Sequence, residues 1–317
     1  MTMNPSNISK ELKTSGLPDC RTAGPVRGTS GLIKFGFLDS FAKREIRRSC
    51  LKAVCIPGYQ VPYASREMPI ARGFGTGGLQ ITLSLLTSAD ILKVIDQGAD
   101  DSVNAANLRR FITASCPGVA TTTRTGEATI IQTRHRIPEQ SLRRGQIMVY
   151  QVPYPDPLQI VEPSEAKRRT MHAEIDYARL WVRLYEDLVR FREVAISNRY
   201  PARVHGRYVI DPSPIPRWDL PKLHRSPALH LFGAGREKKI YAVPPWTTVE
   251  PLAFDDVPFQ VESFTSNGKR HACVRCGATD TYLDEIVTGA GSRRWQCSDS
   301  DWCEGQVEEQ RRVESQR

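Results

Sequence analysis

Residues 271–303 read HACVRCGATDTYLDEIVTGAGSRRWQCSDSDWC, and their four cysteines, Cys273, Cys276, Cys297 and Cys303, follow a C-x2-C-x20-C-x5-C pattern. Two thiolates two residues apart fit the turn that wraps one metal ion. A second pair about twenty residues on closes the site from a hairpin. The stretch is therefore a small metal or iron–sulfur module. Its spacing leaves two readings open. One is a structural zinc held by all four thiolates. The other uses fewer ligands, because the last gap, of five residues, is looser than that of a usual ribbon knuckle.

The remainder of the chain is long enough for one large or two ordinary domains, at 317 residues in all,. Its hydrophobic content of 40% and charged content of 25% are those of an ordinary soluble protein,. The apolar run around residues 83–86 is far too short for a membrane span, and MTMNPSNISKELK at the start lacks the apolar core of a secretory signal,. A reducing, cytoplasmic setting is expected, in which the scattered Cys20, Cys50, Cys55 and Cys116 are ordinary thiols,. The net charge of +9 suits an anionic partner: nucleic acid, a phosphorylated small molecule or an acidic subunit,. The charge is dispersed, and no Lys/Arg block is long enough to be a nucleic-acid tail,.

Upstream of the module the pattern predicts an α+β fold: a mixed sheet core with a helical insertion and the small C-terminal four-cysteine module. The expected divisions are a flexible extension at 1–33, core at 34–153, insertion at 154–218, core again at 219–270, the module at 271–304 and a flexible tail at 305–317. A first helix runs from Ser40 to about Ala53, capped by Asp39 or Ser40, with Ile46, Cys50, Leu51 and Val54 as its stripe,. It stops at CIPGYQVP (55–62), where Gly58 reads as a turn glycine,.

The stretch RGFGTGGLQ (72–80) places Gly73, Gly75, Gly77 and Gly78 around Thr76. Such glycines let backbone amides approach an anion, and a phosphate nest and a plain flexible loop both fit. No Gly-Lys-Ser/Thr follows, so it is not a Walker loop,. Two short helices are expected next. One is opened by Ser88, Ala89 and Asp90 and runs through Val94; the other is capped by Ser102 and ends near Cys116,.

ATIIQTRHRI (128–137) alternates like a strand with one solvated face, and 146–151 reads as a second strand,. Arg134 and His135 are adjacent, so both meet one ligand only at a strand end or bulge. Within 154–218, Met171, Ile175, Ala178, Val182, Tyr185 and Val189 predict a long amphipathic helix to about Ser197, a candidate docking surface,. Residues 204–208 look like a hairpin tip. The core resumes at 229–241.

Several stretches together resemble one family, the J subunits of bacterial carbon–phosphorus lyase. They are LKAV (51–54) with IPGYQVP (56–62), REMP (66–69), GTGG (75–78), LKVIDQGADD (92–101), QTRHRIPE (132–139), DPSPIP (211–216), FGAGREK (232–238) and the four cysteines. The likeness covers roughly residues 34–304. The cysteine pattern is not the C-x3-C-x2-C of most radical S-adenosylmethionine enzymes, so that larger family's fold is not implied.

The resemblance implies a radical enzyme that uses S-adenosyl-L-methionine and a [4Fe–4S] cluster. It would split the carbon–phosphorus bond of an alkylphosphonate carried on ribose 5-phosphate, giving a 1,2-cyclic phosphate and an alkane such as methane. Carried over by motif, Cys273, Cys276 and Cys297 would hold the cluster. Cys303 would be the reactive thiol, and a metal ligand only if zinc occupies the site, as after aerobic purification. Gly58 would carry a glycyl radical. Gly73, Gly75, Thr76, Gly77, Gly78, Arg134 and His135 would bind the substrate's phosphate groups. The implied partners are other lyase core subunits and an ATP-binding cassette subunit.

Two further readings fit the cysteines and the charge: a zinc-ribbon protein binding nucleic acid, and a non-catalytic scaffold subunit with structural zinc. Against the first stands the lack of an aromatic-plus-basic stripe.

Overall fold

The structure, a computed structural model, describes residues 38–64, 76–96, 98–134, 136–152, 164, 166–167, 202–205, 207–208, 219–234, 238–251, 265–266, 269–281 and 283–316. The first helix forms where its stripe and cap predict. Helix α1 (Ser40–Cys55) is capped by Asp39, which accepts the Ala42 N–H at 2.7 Å, and buries Ile46, Cys50, Ala53 and Val54,. It stops ahead of Pro57. Gly58 then turns the chain with φ +83°, a conformation that costs glycine nothing, and leads into β1 (Val61–Pro62),.

The next two elements correct the sequence reading. The end of the glycine-rich stretch is a helix, α2 (Thr76–Leu85), rather than loop. Gln80, Thr82 and Ser84 are buried along with Leu79, Ile81 and Leu83. A helix covered all round has no apolar stripe to betray it. Residues 88–94, expected as helix, instead lead into a strand, β2 (Ile91–Asp96). Asp90 does not cap a helix. Its Oδ2 accepts the Thr87 N–H and hydroxyl, and its Oδ1 accepts the Thr129 hydroxyl, which closes a turn,.

Helix α3 (Val103–Ser115) follows as predicted, with the Ser102 hydroxyl accepting the Ala105 N–H at 3.1 Å. Then come β3 (Ala120–Thr121), β4 (Ile130–Arg134) and β5 (Ile147–Val152). β4 corrects the expectation of a solvated face, since all five of its residues are buried. The hairpin at 204–208 is present as β6 (Ala202–Val204) and β7 (Arg207–Tyr208). The helix predicted for 171–197 and the extension at 1–33 lie outside the described residues.

After the short helix α4 (Leu220–Leu223) come β8 (Leu229–Ala234), β9 (Lys239–Val243) and β10 (Glu250–Pro251). A two-stranded ribbon, β11 (Thr265–Ser266) with β12 (Lys269–Arg270), precedes the cysteine module. The module is the hairpin β13 (Leu283–Val287) and β14 (Arg293–Cys297) followed by α5 (Ser300–Glu314). That helix corrects the expected frayed tail. Asp299 caps it by accepting the Trp302 N–H at 3.1 Å, an Arg312–Glu309 pair supports its outer face, and Gln310 Nε2 donates to the Cys276 carbonyl,.

The main sheet has seven strands in the order β1-β9-β8-β5-β4-β2-β3. β3, β2, β4, β5 and β8 are parallel; β9 and β1 complete it in antiparallel pairs. A parallel sheet is covered on both faces. One face buries Leu92, Val94, Ile130, Val149 and Leu231 in a single cluster with residues of α1, α2 and α3. The other buries Ile131, Met148, Tyr150, Phe232 and Tyr241 in a cluster with Leu220 and Leu223 of α4. The result is the mixed α+β architecture that the residue pattern predicts.

The connection after β2 leaves toward α3 on the first face, while the loop after β4 lays Ile137 and Leu142 on the second. Connections that part from neighbouring strands open a crevice beyond their carboxyl ends. Asp96 and Arg134, register partners at the ends of β2 and β4, stand there.

Candidate metal centre

Cys273 and Cys276 sit on a knuckle. The Cys273 N–H donates to the Ala278 carbonyl, and the Gly277 N–H to the Cys273 carbonyl, both at 2.9 Å. Gly277 turns the chain with φ +72°. Cys297 ends β14, and Cys303 lies in the first turn of α5. All four are buried, and their sulfurs lie within 4.8 Å of one another.

The closest approaches are 3.7 Å between Cys273 and Cys303 and 3.5 Å between Cys276 and Cys297. Four thiolates around one tetrahedral ion at a zinc–sulfur distance of about 2.3 Å stand about 3.8 Å apart. Two of the spacings are close to that value and the rest stay within 4.8 Å, so the four sulfurs surround a space of single-ion size. A cluster interposes its own irons and sulfides, so its thiolates must stand farther apart than this.

The thiols differ electrostatically. Burial pushes Cys273 up, but backbone N–H groups of Cys276, Cys297 and Arg275 outweigh it and hold the thiol down at about 6. Two of those donors, from Arg275 and Cys297, lie 3.4 Å from its sulfur. Burial, and then the neighbouring Cys273 and Cys276, push Cys303 up to about 12 and raise Cys297 as well. Donors aimed at one sulfur favour its thiolate, the form that binds metal.

The module docks beside the sheet's crevice. Asp299 Oδ2 accepts the Glu139 N–H at 3.0 Å, and the Ser300 hydroxyl donates to Asp100 Oδ1 at 3.0 Å. Asp301 Oδ2 accepts the Thr125 N–H at 3.2 Å and lies 3.9 Å from the buried Lys93 ammonium. Gly98, at φ +92°, passes so close that a Cβ there would lie 2.7 Å from Ser298 Oγ. The sequence reading missed Asp299, Ser300 and Asp301. Their signal was the run SDSD between the last two cysteines, a helix-capping pattern hidden inside a metal motif,.

The other residues singled out from sequence fall in three places. Gly77 and Gly78 open α2, where they let the helix touch the sheet. A Cβ on Gly78 would lie 2.7 Å from Gln151 Cα, and one on Gly233 would lie 2.6 Å from Gly78 N. Thr76 is the first residue of that helix. Gly73, Gly75 and His135 lie outside the described residues. Arg134 is buried and forked onto Asp96.

The structure brings the four cysteines together beside the carboxyl ends of β2 and β4. It does not bring Gly58 to them. Gly58 precedes β1 on the opposite flank of the sheet, and the four strand spacings from β1 to β4 amount to roughly 19 Å,.

Fold and site together define an α+β protein with a four-thiol cluster, able to hold a metal ion, clamped onto the carboxyl edge of a mainly parallel sheet. The chain belongs to the PhnJ family, because the model of phosphonate metabolism protein PhnJ matches residues 32–309. It is 55% identical over 275 residues to "Alpha-D-ribose 1-methylphosphonate 5-phosphate C-P lyase" of Escherichia coli (strain K12), covering 86% of this chain and 96% of that protein. It is 56% identical over 271 residues to "Alpha-D-ribose 1-methylphosphonate 5-phosphate C-P-lyase" of Rhizobium meliloti (strain 1021), covering 85% of this chain and 89% of that one. Among the described residues no helix is long and apolar enough to cross a membrane.

Proposed function

We propose that this chain cleaves the carbon–phosphorus bond of a 5-phosphoribosyl 1-alkylphosphonate, using a glycyl radical at Gly58 and a thiyl radical at Cys303. The observation that carries the reading is the match over residues 32–309, a span holding Gly58, Arg134 and all four cysteines, to a family whose curated relatives are C–P lyases.

Cys273, Cys276 and Cys297 would hold a [4Fe–4S] cluster, where one-electron reduction of S-adenosyl-L-methionine would supply the means to remove a hydrogen atom. The knuckle must open to take it, since the sulfurs stand as for a single ion; zinc after aerobic purification suits them as they are.

The chain's own groups supply the rest. A glycine Cα–H is readily lost because the planar radical is shared between amide and carbonyl and meets no side chain. Cys303 gives its S–H hydrogen to that radical. The resulting thiyl bonds to phosphorus as the phosphorus–carbon bond breaks; the alkyl radical takes the hydrogen atom back from the Gly58 Cα and leaves as alkane, which restores the glycyl radical. A ribose hydroxyl then displaces the sulfur, leaving 5-phosphoribosyl 1,2-cyclic phosphate. Hydrogen transfer needs contact, so the relay includes a rearrangement that closes Gly58 on Cys303.

Gly73, Gly75, Thr76, Gly77 and Gly78, with Arg134 and His135, bind the phosphate groups in this reading. In its support, α2 begins against the ends of β5 and β8, where a helix amino end favours an anion,. The subunit works in the cytoplasm with other lyase core subunits and an ATP-binding cassette protein, and residues 154–218 are the docking surface.

The test is anaerobic purification with the partner subunits, reconstitution with iron and sulfide, and addition of reductant with S-adenosyl-L-methionine. 5′-Deoxyadenosine and alkane are expected. An assembled, reconstituted complex that yields neither sinks the reading.

A further inference from the structure

Cys303 is held differently from the other three thiols. Cys273 and Cys276 are fixed by bonds inside the module: Cys273 to Ala278 and Gly277, and Cys276 to Gln310. Cys297 is fixed by its ladder to Leu283 and by its N–H on the Cys273 sulfur. Cys303 instead follows three residues that each grip a separate loop of the α/β core. Asp299 holds the loop between β4 and β5 through the Glu139 N–H, Ser300 holds Asp100 after β2, and Asp301 holds the Thr125 N–H between β3 and β4.

Asp299 does most, because it is 2% exposed and uses both carboxylate oxygens. One caps the helix through Trp302, and the other ties that cap to a residue 160 positions away. Its carbonyl also accepts the Cys303 N–H at 3.1 Å. The helix turn that carries the thiol is thus built directly on the tether.

We propose that Asp299 is a positioning residue that fixes Cys303 to the α/β core, so that Cys303 keeps its place without the metal while the knuckle thiols Cys273 and Cys276 depend on it. A buried carboxylate bonded to two N–H groups is a strong, geometrically fixed link. A small thiol module without its ion loses the bonds that organise it. Loss of the ion therefore opens the knuckle and leaves Cys303 standing. The site can change its ligand set at the knuckle without moving the fourth sulfur. The inference deepens the reading of Cys303 as the reagent and fails separately from it. Full turnover in Cys303→Ala removes the reagent role and leaves the tether intact.

The experiment uses the full chain with its partner subunits, reduced, with and without chelator. Hydrogen exchange is followed at 273–278 and at 300–306. Chelation is expected to abolish protection at 273–278 and to leave 300–306 unchanged; loss of protection at 300–306 on chelation overturns the proposal. This measurement needs no variant.

In the second arm Asp299→Ser keeps a hydroxyl that can cap Trp302 but is too short to reach Glu139 as well. In the metal-free form, iodoacetamide should then alkylate Cys303 about 10-fold faster than in the parent, the buried core thiol Cys50 being the internal control. A purely helix-capping role leaves the Cys303 rate unchanged in this variant, and that result overturns the tether.

Discussion

Arg134 meets Asp96 with two nitrogens, Nε at 2.9 Å and Nη2 at 2.7 Å, at the ends of two neighbouring parallel strands. Asn104 adds a third bond to the same carboxylate at 2.9 Å. Both charged side chains are buried. Removing one partner strands the other charge in a water-poor crevice. Arg134→Ala should therefore cost about 3–5 kcal/mol in urea denaturation. Arg134→Lys should recover part of this, because it restores the charge without the planar fork. A loss under about 1 kcal/mol in Arg134→Ala would mean that the pair does not hold the crevice.

Gly233 in β8 faces the amino end of α2 with no room to spare. A Cβ there would lie 2.6 Å from Gly77 C and 2.7 Å from Ile81 Cδ1. Gly233→Ala must push helix and sheet apart, at a cost of roughly 1–3 kcal/mol. Gly289, with nothing within 4 Å of the same position, is the control, and Gly289→Ala should leave the melting temperature unchanged. Equal melting points for the two variants would remove the close-contact account of the glycine-rich segment.

Those contacts also show where the sequence was legible. α1 and α3 were, because each has a capping side chain and a one-sided stripe. α2 and β2 were not, because both are covered on every side, so neither carries the alternation that separates helix from strand,. In β2 the buried Lys93 interrupts the apolar run, and its partners Thr123 and Thr125 lie about thirty residues on. The gathering of the four cysteines was announced by local spacing alone. Their anchorage by Asp299, Ser300 and Asp301 was hidden, because it depends on loops 160 to 200 positions away.

His230 is fully buried in β8, and among the described residues neither ring nitrogen has a partner. Burial lowers its pKa from the usual 6.5 to about 3. The unfolded chain therefore takes up the proton first. Stability from the neutral ring is complete above pH 6.5 and is lost as pH falls toward 3, at up to about 1.4 kcal/mol per unit,. His230→Leu should flatten that slope between pH 6.5 and 4 in denaturation series, if the ring is the group responsible. An unchanged slope would assign the acid sensitivity elsewhere.

Gly58 separates two roles that one substitution would confuse. At φ +83° a Cβ is strained, so Gly58→Ala should lose about 1 kcal/mol of stability,. Asparagine tolerates the left-handed region better, and Gly58→Asn should lose less. Both should lose alkane production completely if the residue carries the radical. Turnover that follows stability, with Gly58→Asn active, would assign the glycine to the turn alone.

The strand order also sets a timetable for synthesis. β5 pairs with β8, and the 76 residues numbered 153–228 lie between them. At about 5–20 residues per second, the ribosome needs roughly 4–15 s to make that stretch. Throughout it the apolar strand IMVYQV stands as an open edge, able to pair with another nascent chain,. β1 waits longer still, since Pro62 pairs with Lys239. A half-built sheet is thus part of every molecule's history, and the yield of folded protein depends on what shields β5 until β8 arrives.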